Sequence, residues 1–327
     1  MRSPVSRVFV FVAALIACLF VAIVPRLSAQ DSAPTVTARL IDPDAGMVTI
    51  SKRVDEVSLL FTVTDTKGRF VTDLNASDLQ VFDNRLPPES IRLFQRESDL
   101  PLRVGLVVDL SESITQRFKF EKKAAATFLK KSLRPATDQA FVVGFNERVQ
   151  LVQDFTNDSA VLGTSVQKMH AGGNTSLYDA IVFACRKLQE QPRDRLVRKI
   201  LILITDGQDT ASKNILADAQ QAAARAETAI FALSTNDLTH DEYPRGEAVL
   251  ELLTRYTGGQ ILRARESDEL SHAFAQVEDA LRSQYSLAYK PANFAPDGSY
   301  RTIELRSSKT KLRIQCRRGY FAPREAQ

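Results

Sequence analysis

One carboxylate and two hydroxyls stand at alternate positions in Asp109-x-Ser111-x-Ser113, within the stretch Arg103 to Ile114, RVGLVVDLSESI. Oxygen donors of this kind suit a hard divalent cation. Mg²⁺ in particular takes near-octahedral oxygen ligation from few protein groups and several waters. One loop cannot complete such a shell, so others must contribute. Two further oxygen-bearing loops are present: Gly172-Gly173-Asn174-Thr175-Ser176, and Asp206-Gly207. The candidate donors of the first loop are therefore Asp109, Ser111 and Ser113, with further oxygens expected from the other two. Asp179, Asp209 and Glu112 are candidates for contacts just outside that shell. Each residue also has a simpler use. Ser111, Ser113 and Thr175 are good helix N-caps, Asp206-Gly207 is an ordinary turn, and Asp179 and Asp209 suit solvated positions.

The elements that must position these loops are legible as periodic patterns. Val104 to Val108 is a short, unbroken apolar run of the type buried on both faces of a parallel sheet. Ile200 to Ile204 is a second such run and Ala229 to Leu233 a third. Helical spacing covers 118–133, 159–169, 177–188, 215–226, 246–257 and 267–283, the fifth ending at Gly258-Gly259. Residues 139–146 and 149–155 flank Glu147-Arg148 and predict a β-hairpin. Strand and helix alternate from Leu102 onward, which predicts a doubly wound, mostly parallel sheet. Ligand loops in such sheets converge outside the carboxyl ends of the strands. That places all three candidate loops at one edge.

Asp109-x-Ser111-x-Ser113, Thr175 inside GGNTSLYDA and Asp206 inside ITDGQDT together resemble the metal-ion-dependent adhesion site of the von Willebrand factor type A family. The resemblance implies a Rossmann-like domain over 101–284. It implies that Ser111 and Ser113 ligate the ion directly, Thr175 directly or through water, and that Asp109 and Asp206 mostly hold metal-bound waters. The ion would be Mg²⁺, or Mn²⁺ or Ca²⁺, with a carboxylate of a protein partner completing its shell. Glu112 departs from the glycine commonest at that position. VTDTKGRFVTDLNASDLQVFDN, SQYSLAYKP and RRGYFAP also resemble the acidobacterial-type von Willebrand factor A related group of exported proteins.

The flanks read as β. Residues 30–100 carry apolar runs at 57–63 and 78–82, punctuated by Asp65-Thr66-Lys67-Gly68 and Asp83-Asn84-Arg85. Residues 285–327 carry runs at 285–289, 300–305 and 312–316, too short for a core alone. Both ends are expected to join in one β-sandwich-like unit interrupted by the α/β domain. Residues 1–29 read as a signal peptide, with Arg2 and Arg7 before an apolar segment Val8 to Val24 and Leu27-Ser28-Ala29 as the cleavage region. A retained anchor is the alternative. Acylation at Cys18 is another, since Leu15-Ile16-Ala17-Cys18 resembles the bacterial lipobox. The protein is thus expected to be periplasmic, secreted or at the cell surface, touching a membrane only through this segment.

Composition narrows the function further. The chain holds 43 basic and 39 acidic residues. Three of the basic ones are Arg2, Arg7 and Arg26, so the mature excess is +1, which argues against nucleic acid as a partner. The clustered Lys119, Lys122, Lys123, Lys130 and Lys131 suit a solvated helix face. An enzyme is not expected. A Mg²⁺-dependent phosphohydrolase would want a second Asp two residues after Asp109, where Ser111 stands. His170, His240 and His272 show no metal-type pairing, and Cys185 and Cys316 are read as buried free thiols. A metal-independent assembly module remains a further alternative.

Overall fold

The structure is a computed structural model that describes residues 35–40, 48–53, 56–97, 99–112, 118–191, 197–236, 245–264 and 267–324. The signal-like segment with Cys18, Ser113 and His240 lie outside the described residues.

The apolar runs become strands because they are buried on two sides. β6 (Leu102–Asp109) sits centrally in a six-stranded sheet with β7 (Gln139–Phe145), β8 (Val149–Thr156), β9 (Arg198–Thr205), β10 (Ala229–Ser234) and β11 (Ile261–Arg263). The order is β11-β10-β9-β6-β7-β8, parallel throughout except for β8, which returns antiparallel beside β7. Alternate residues serve opposite faces, as the two-residue period requires. Val104, Leu106 and Val108 join Ile200, Ile202 and Ile204 in one core, and Val107 joins Leu201 and Leu203 in the other. Each fully buried aliphatic side chain here contributes about 1.5–3 kcal/mol.

Among the described residues six helices cover the two faces: α1 (Phe118–Ser132), α2 (Ser159–Gln167), α3 (Leu177–Gln189), α4 (Leu216–Ala226), α5 (Arg245–Thr257) and α6 (Ser267–Arg282). α1, α2 and α6 share the first core, where Phe128 stacks on Phe274 with ring centroids 4.7 Å apart. α3, α4 and α5 share the second. The lysines of α1 include the exposed Lys119, Lys123, Lys130 and Lys131. Cys185 is buried and its thiol is pushed up to about 12 by that burial, whereas Cys316 is only half-buried, a correction to the expectation of two buried thiols; both are free.

The flanking β unit draws its strands from both ends of the chain. β3 (Val57–Thr64), β4 (Leu79–Asp83) and β5 (Ser90–Glu97) precede the α/β layers, while β12 (Gln284–Lys290), β13 (Tyr300–Ser307), β14 (Arg313–Cys316) and β15 (Gly319–Phe321) follow them. One sheet has the order β14-β3-β12-β5 and the other β15-β13-β4. Leu59, Phe61, Val81, Tyr285, Leu287 and Ile303 fill the space between them. The buried hydroxyls find partners there, since Tyr289 and Tyr320 both donate to Asp83 Oδ2, at 2.9 and 2.8 Å. β1 (Thr35–Leu40) and β2 (Val48–Arg53) form a separate antiparallel pair.

The chain passes between the two layers twice, over very short spans: Glu97 to Leu102, and Arg282 to Gln284. Lateral contacts reinforce the crossings. Arg318 N–H donates to Tyr256 O at 3.0 Å, Arg317 pairs with Glu227 at 2.9 Å, and Tyr256 stacks on Tyr300.

Candidate metal centre

Each of the three candidate loops leaves the sheet where a buried strand or helix fixes it. Asp109 ends β6 with no solvent exposure. Its Oδ1 accepts the Ser111 N–H at 2.8 Å and its Oδ2 accepts the Thr205 hydroxyl at 2.6 Å. Burial pushes this carboxyl above its ordinary range despite the hydrogen bonds from Thr205 and Ser111, and the nearby Asp206 carboxylate adds to the rise. A buried carboxylate whose ionisation is made costlier by a neighbouring carboxylate is a natural seat for a cation.

Hydrogen bonds stitch the loops to one another pairwise. The first and third are joined by Thr205 to Asp109, and the Gly207 N–H returns to the Thr205 hydroxyl at 3.1 Å. The first and second are joined by Gly172 N–H to Leu110 O at 2.6 Å and Glu112 N–H to Gly173 O at 3.2 Å. The second and third are joined by the N–H groups of Thr210 and Ala211, both donating to Thr175 O at 2.8 and 2.9 Å, and by Thr175 N–H to Thr210 Oγ1 at 3.0 Å. Sequence positions 109, 175 and 206 are thereby brought to one place.

Ser111 and Thr175 are buried, Asp206 is half-buried and Glu112 is exposed. Asp179 and Asp209 serve the frame around the loops. Asp179 accepts from the N–H groups of Lys213 and Asn214 and from the Asn214 amide. Burial alone would raise its carboxyl, and those donors outweigh it and hold it below the ordinary value. Asp209 accepts from Tyr178 N–H at 3.3 Å and from the Ser212 hydroxyl at 2.5 Å, tying the third loop to the start of α3.

Several positioning residues escape sequence reasoning. Thr205 is one, hidden as an ordinary β-branched strand end beside the more conspicuous Asp206. Asn146 and Glu147, in the β7–β8 turn, are two more. Asn146 donates to Gly172 O at 2.8 Å and accepts at its own carbonyl from Ser176 N–H and Oγ, while Glu147 Oε2 accepts the Asn174 N–H at 3.2 Å. The Asp206 loop is seated from behind as well. Asn236 Nδ2 donates to Asp206 O at 2.8 Å and to Glu247 Oε2 at 3.1 Å, and the fully buried Glu247 also accepts from Ser234 and pairs with Arg263 at 2.7 Å. Asp206, half-exposed, and buried Asp109 are the two carboxylates of the cluster; its remaining side-chain donors are hydroxyls. Among the described residues no group of three His, Cys, Asp or Glu forms a metal cage, so any cation here depends on those hydroxyls.

A parallel sheet with one antiparallel edge, three loops joined at its carboxyl end and the D-x-S-x-S stretch agree with the family comparison. The model of the von Willebrand factor type A domain matches residues 104–251. Residues 104–251 are a von Willebrand factor type A domain. Among curated relatives, the uncharacterized protein Rv2850c of Mycobacterium tuberculosis is 29% identical over 141 residues, 42% of this chain and 22% of that protein. The chain therefore spans about a fifth of the length of the curated relative it matches. Similar solved structures include the conserved hypothetical protein BatB from Bacteroides thetaiotaomicron, with TM-score 0.45, 17% identity, 55% of this chain and 98% of that chain. The PilB minor pilin from Streptococcus sanguinis has TM-score 0.47, 14% identity, 57% of this chain and 62% of that chain. Proximal thread matrix protein 1 from the mussel byssus, with a zinc-occupied MIDAS motif, has TM-score 0.47, 17% identity, 62% of this chain and 50% of that chain.

Proposed function

We propose that the von Willebrand factor A domain of this chain is a binding module that captures a carboxylate of a protein partner at a divalent cation, Mg²⁺ or in its stead Mn²⁺ or Ca²⁺. Asp109, Ser111, Ser113, Thr175 and Asp206 would hold the ion. The observation that carries this reading is the pairwise stitching of three sequence-distant loops around oxygen donors, with one buried carboxylate raised in pKa and a second beside it. The donor set fits a hard cation, since it offers hydroxyl and carboxylate oxygens and no soft ligand. When bound, the cation would supply an electron-poor position for an external carboxylate oxygen. Thr205 and the Ser111 N–H orient Asp109, while Asn236 and Asn146 hold the loops on either side.

Recognition without turnover is the chemistry this arrangement favours. Both oxygens of Asp109 already accept hydrogen bonds, and Ser111 stands where a phosphohydrolase would carry its second acid. The exposed Glu112 belongs to the rim, where it would disfavour acidic partners that lack a compensating base nearby. The apolar Val8–Val24 segment behind Arg2 and Arg7 supports export, to the periplasm, cell surface or medium. Among the described residues no helix is long and apolar enough to cross a membrane.

A second reading, assembly without a cation, is favoured by one specific observation: the loops already satisfy one another by hydrogen bonds. Immobilised chain exposed to Asp- and Glu-containing peptides, in Mg²⁺ and in chelator, separates the two. Retention in Mg²⁺, release by chelator and loss in Asp109→Ala are expected. Retention indifferent to chelator and to Asp109→Ala would favour cation-free assembly, and phosphate release from a phosphopeptide would favour an enzyme.

A further inference from the structure

Glu247, near the start of α5, is a carboxylate with no solvent exposure that lies outside the proposed cation shell. Its Oε2 accepts the Ser234 hydroxyl at 2.6 Å and Asn236 Nδ2 at 3.1 Å. Among the described residues its Oε1 accepts no hydrogen bond and meets Arg263 Nε as an ion pair at 2.7 Å. Arg263 ends β11 with its side chain 44% exposed and also reaches Glu251 Oε1 at 3.3 Å, so the pair runs from solvent into the core. A buried carboxylate is costly to keep ionised without a counter-charge. Among the described residues Arg263 is the cation that touches Glu247.

The ionised form of Glu247 decides which way the Asn236 amide faces. A carboxylate only accepts hydrogen bonds, whereas an asparagine amide presents donors at one end and a carbonyl oxygen at the other. Glu247 Oε2 therefore selects the NH₂ end. Asn236 is buried, and the same nitrogen donates to the main-chain oxygen of Asp206 at 2.8 Å, with Ser234 Oγ at 3.3 Å. Flipped, the amide would set its own oxygen against both Asp206 O and the Glu247 carboxylate. Asp206 O also lies hard against Gly246, where an added Cβ would come within 2.1 Å of it, so the α5 side has no room for a water to donate instead. Polar contacts thus run from Arg263 through Glu247 and Asn236 to the Asp206 loop.

We propose that Glu247 and Arg263 are positioning residues for the cation: Arg263 keeps the buried Glu247 ionised, Glu247 fixes the Asn236 amide, and Asn236 holds the Asp206 loop in place for the ion. Their role rests on the reading of the three loops as a cation site, and neither residue touches the ion. Partners of this outer kind orient the ligands and set the affinity of a metal site.

The test is titration calorimetry of Mn²⁺ into the whole purified chain, beside melting midpoints taken in chelator. Glu247→Gln keeps the shape but can turn a donor toward Asn236, and it is expected to weaken Mn²⁺ binding about 10-fold. Arg263→Gln should weaken binding in the same direction, and Arg263→Lys, which keeps the charge, should retain most of the affinity. Asn236→Ala combined with Glu247→Gln should bind no more weakly than Asn236→Ala alone, because the carboxylate acts through that amide. A merely structural role would lower the midpoint in chelator and leave the Mn²⁺ affinity of the folded variants unchanged. That result, or additive losses in the double variant, would overturn the proposal. Should Glu247→Gln fail to fold, the more exposed Arg263 decides, and equal affinity in Arg263→Gln and wild type overturns it. Failure of the wild-type chain to bind Mn²⁺ would remove the cation site and this role with it, whereas wild-type binding that the variants leave unchanged removes this role alone.

Discussion

Asp109 is held by donors from two residues, and only one of the two was legible beforehand. The Ser111 N–H follows from the D-x-S spacing, because an Asp that caps its own loop accepts from the residue two places on. Thr205 was not legible, since a β-branched residue at a strand end needs no explanation beyond propensity. Thr205→Val keeps the shape and removes the donor to Asp109 Oδ2. It is expected to cost about 1–3 kcal/mol in urea unfolding, from an unsatisfied buried carboxylate oxygen. Cation affinity should fall by about 10–100-fold in the same variant, the usual effect of losing a residue that orients a ligand. Asp138 gives a pH test away from the centre. Burial would raise its carboxyl, but hydrogen bonds from Arg134, the Leu102 and Arg134 N–H groups and Thr137 prevail and hold it below the ordinary value of 3.8. A folded-state pKa below the unfolded one contributes stability that is complete above about pH 5 and is lost as pH falls through the folded value. Asp138→Asn should therefore cost about 1–3 kcal/mol at neutral pH, discounted because Arg134 is partly exposed. Urea midpoints across pH should show the gap between variant and wild type closing in acid.

The loops depend on close contact between elements as much as on their own residues. Gly207 has φ +79, and a Cβ there would lie 2.3 Å from Gly246 O. The converse holds at Gly246, where a Cβ would lie 2.1 Å from Asp206 O. The third loop therefore rests directly on the start of α5, and Asn236 fastens it. Gly246→Ala should displace the Asp206 loop, costing about 1–3 kcal/mol of stability as an overpacking substitution. Asn236→Ala should cost a similar amount, because it takes a donor from the buried Glu247 carboxylate, and should weaken cation binding about 10-fold or more. Calorimetry beside thermal unfolding separates the two effects. The elements themselves were largely readable, because Val104–Val108 and Ile200–Ile204 are apolar at every position and the helices alternate with them. The fastening was not readable, since Gly246 and Asn236 act through space on a residue 30 or more positions away. β15 was also missed, being three residues long and defined only by its pairing with β13.

Across the whole molecule, the β unit cannot be completed from one end of the chain. β12 lies between β3 and β5 and pairs antiparallel with both. Its Tyr285 hydroxyl accepts the Leu74 N–H at 3.0 Å and donates to Val71 O at 3.1 Å. Their shortness suggested that the C-terminal strands join the N-terminal β segment; the strand each one pairs with, and the register, were invisible because non-local pairing leaves no trace in a local pattern. A chain ending at Ser283 is expected to leave residues 56–97 open to trypsin at Lys67, Arg69 and Arg85, with the α/β layers comparatively resistant. Equal resistance of both regions would mean that the N-terminal strands fold without β12.

The most direct test of the cation site is titration calorimetry of Mg²⁺ and Mn²⁺ into the purified chain, beside Asp109→Ala and Thr175→Ala. The three-loop account predicts binding by the wild-type chain and its loss in both variants while their melting midpoints show that they remain folded. Absence of binding to the wild-type chain, or binding unchanged in folded Asp109→Ala, would contradict it.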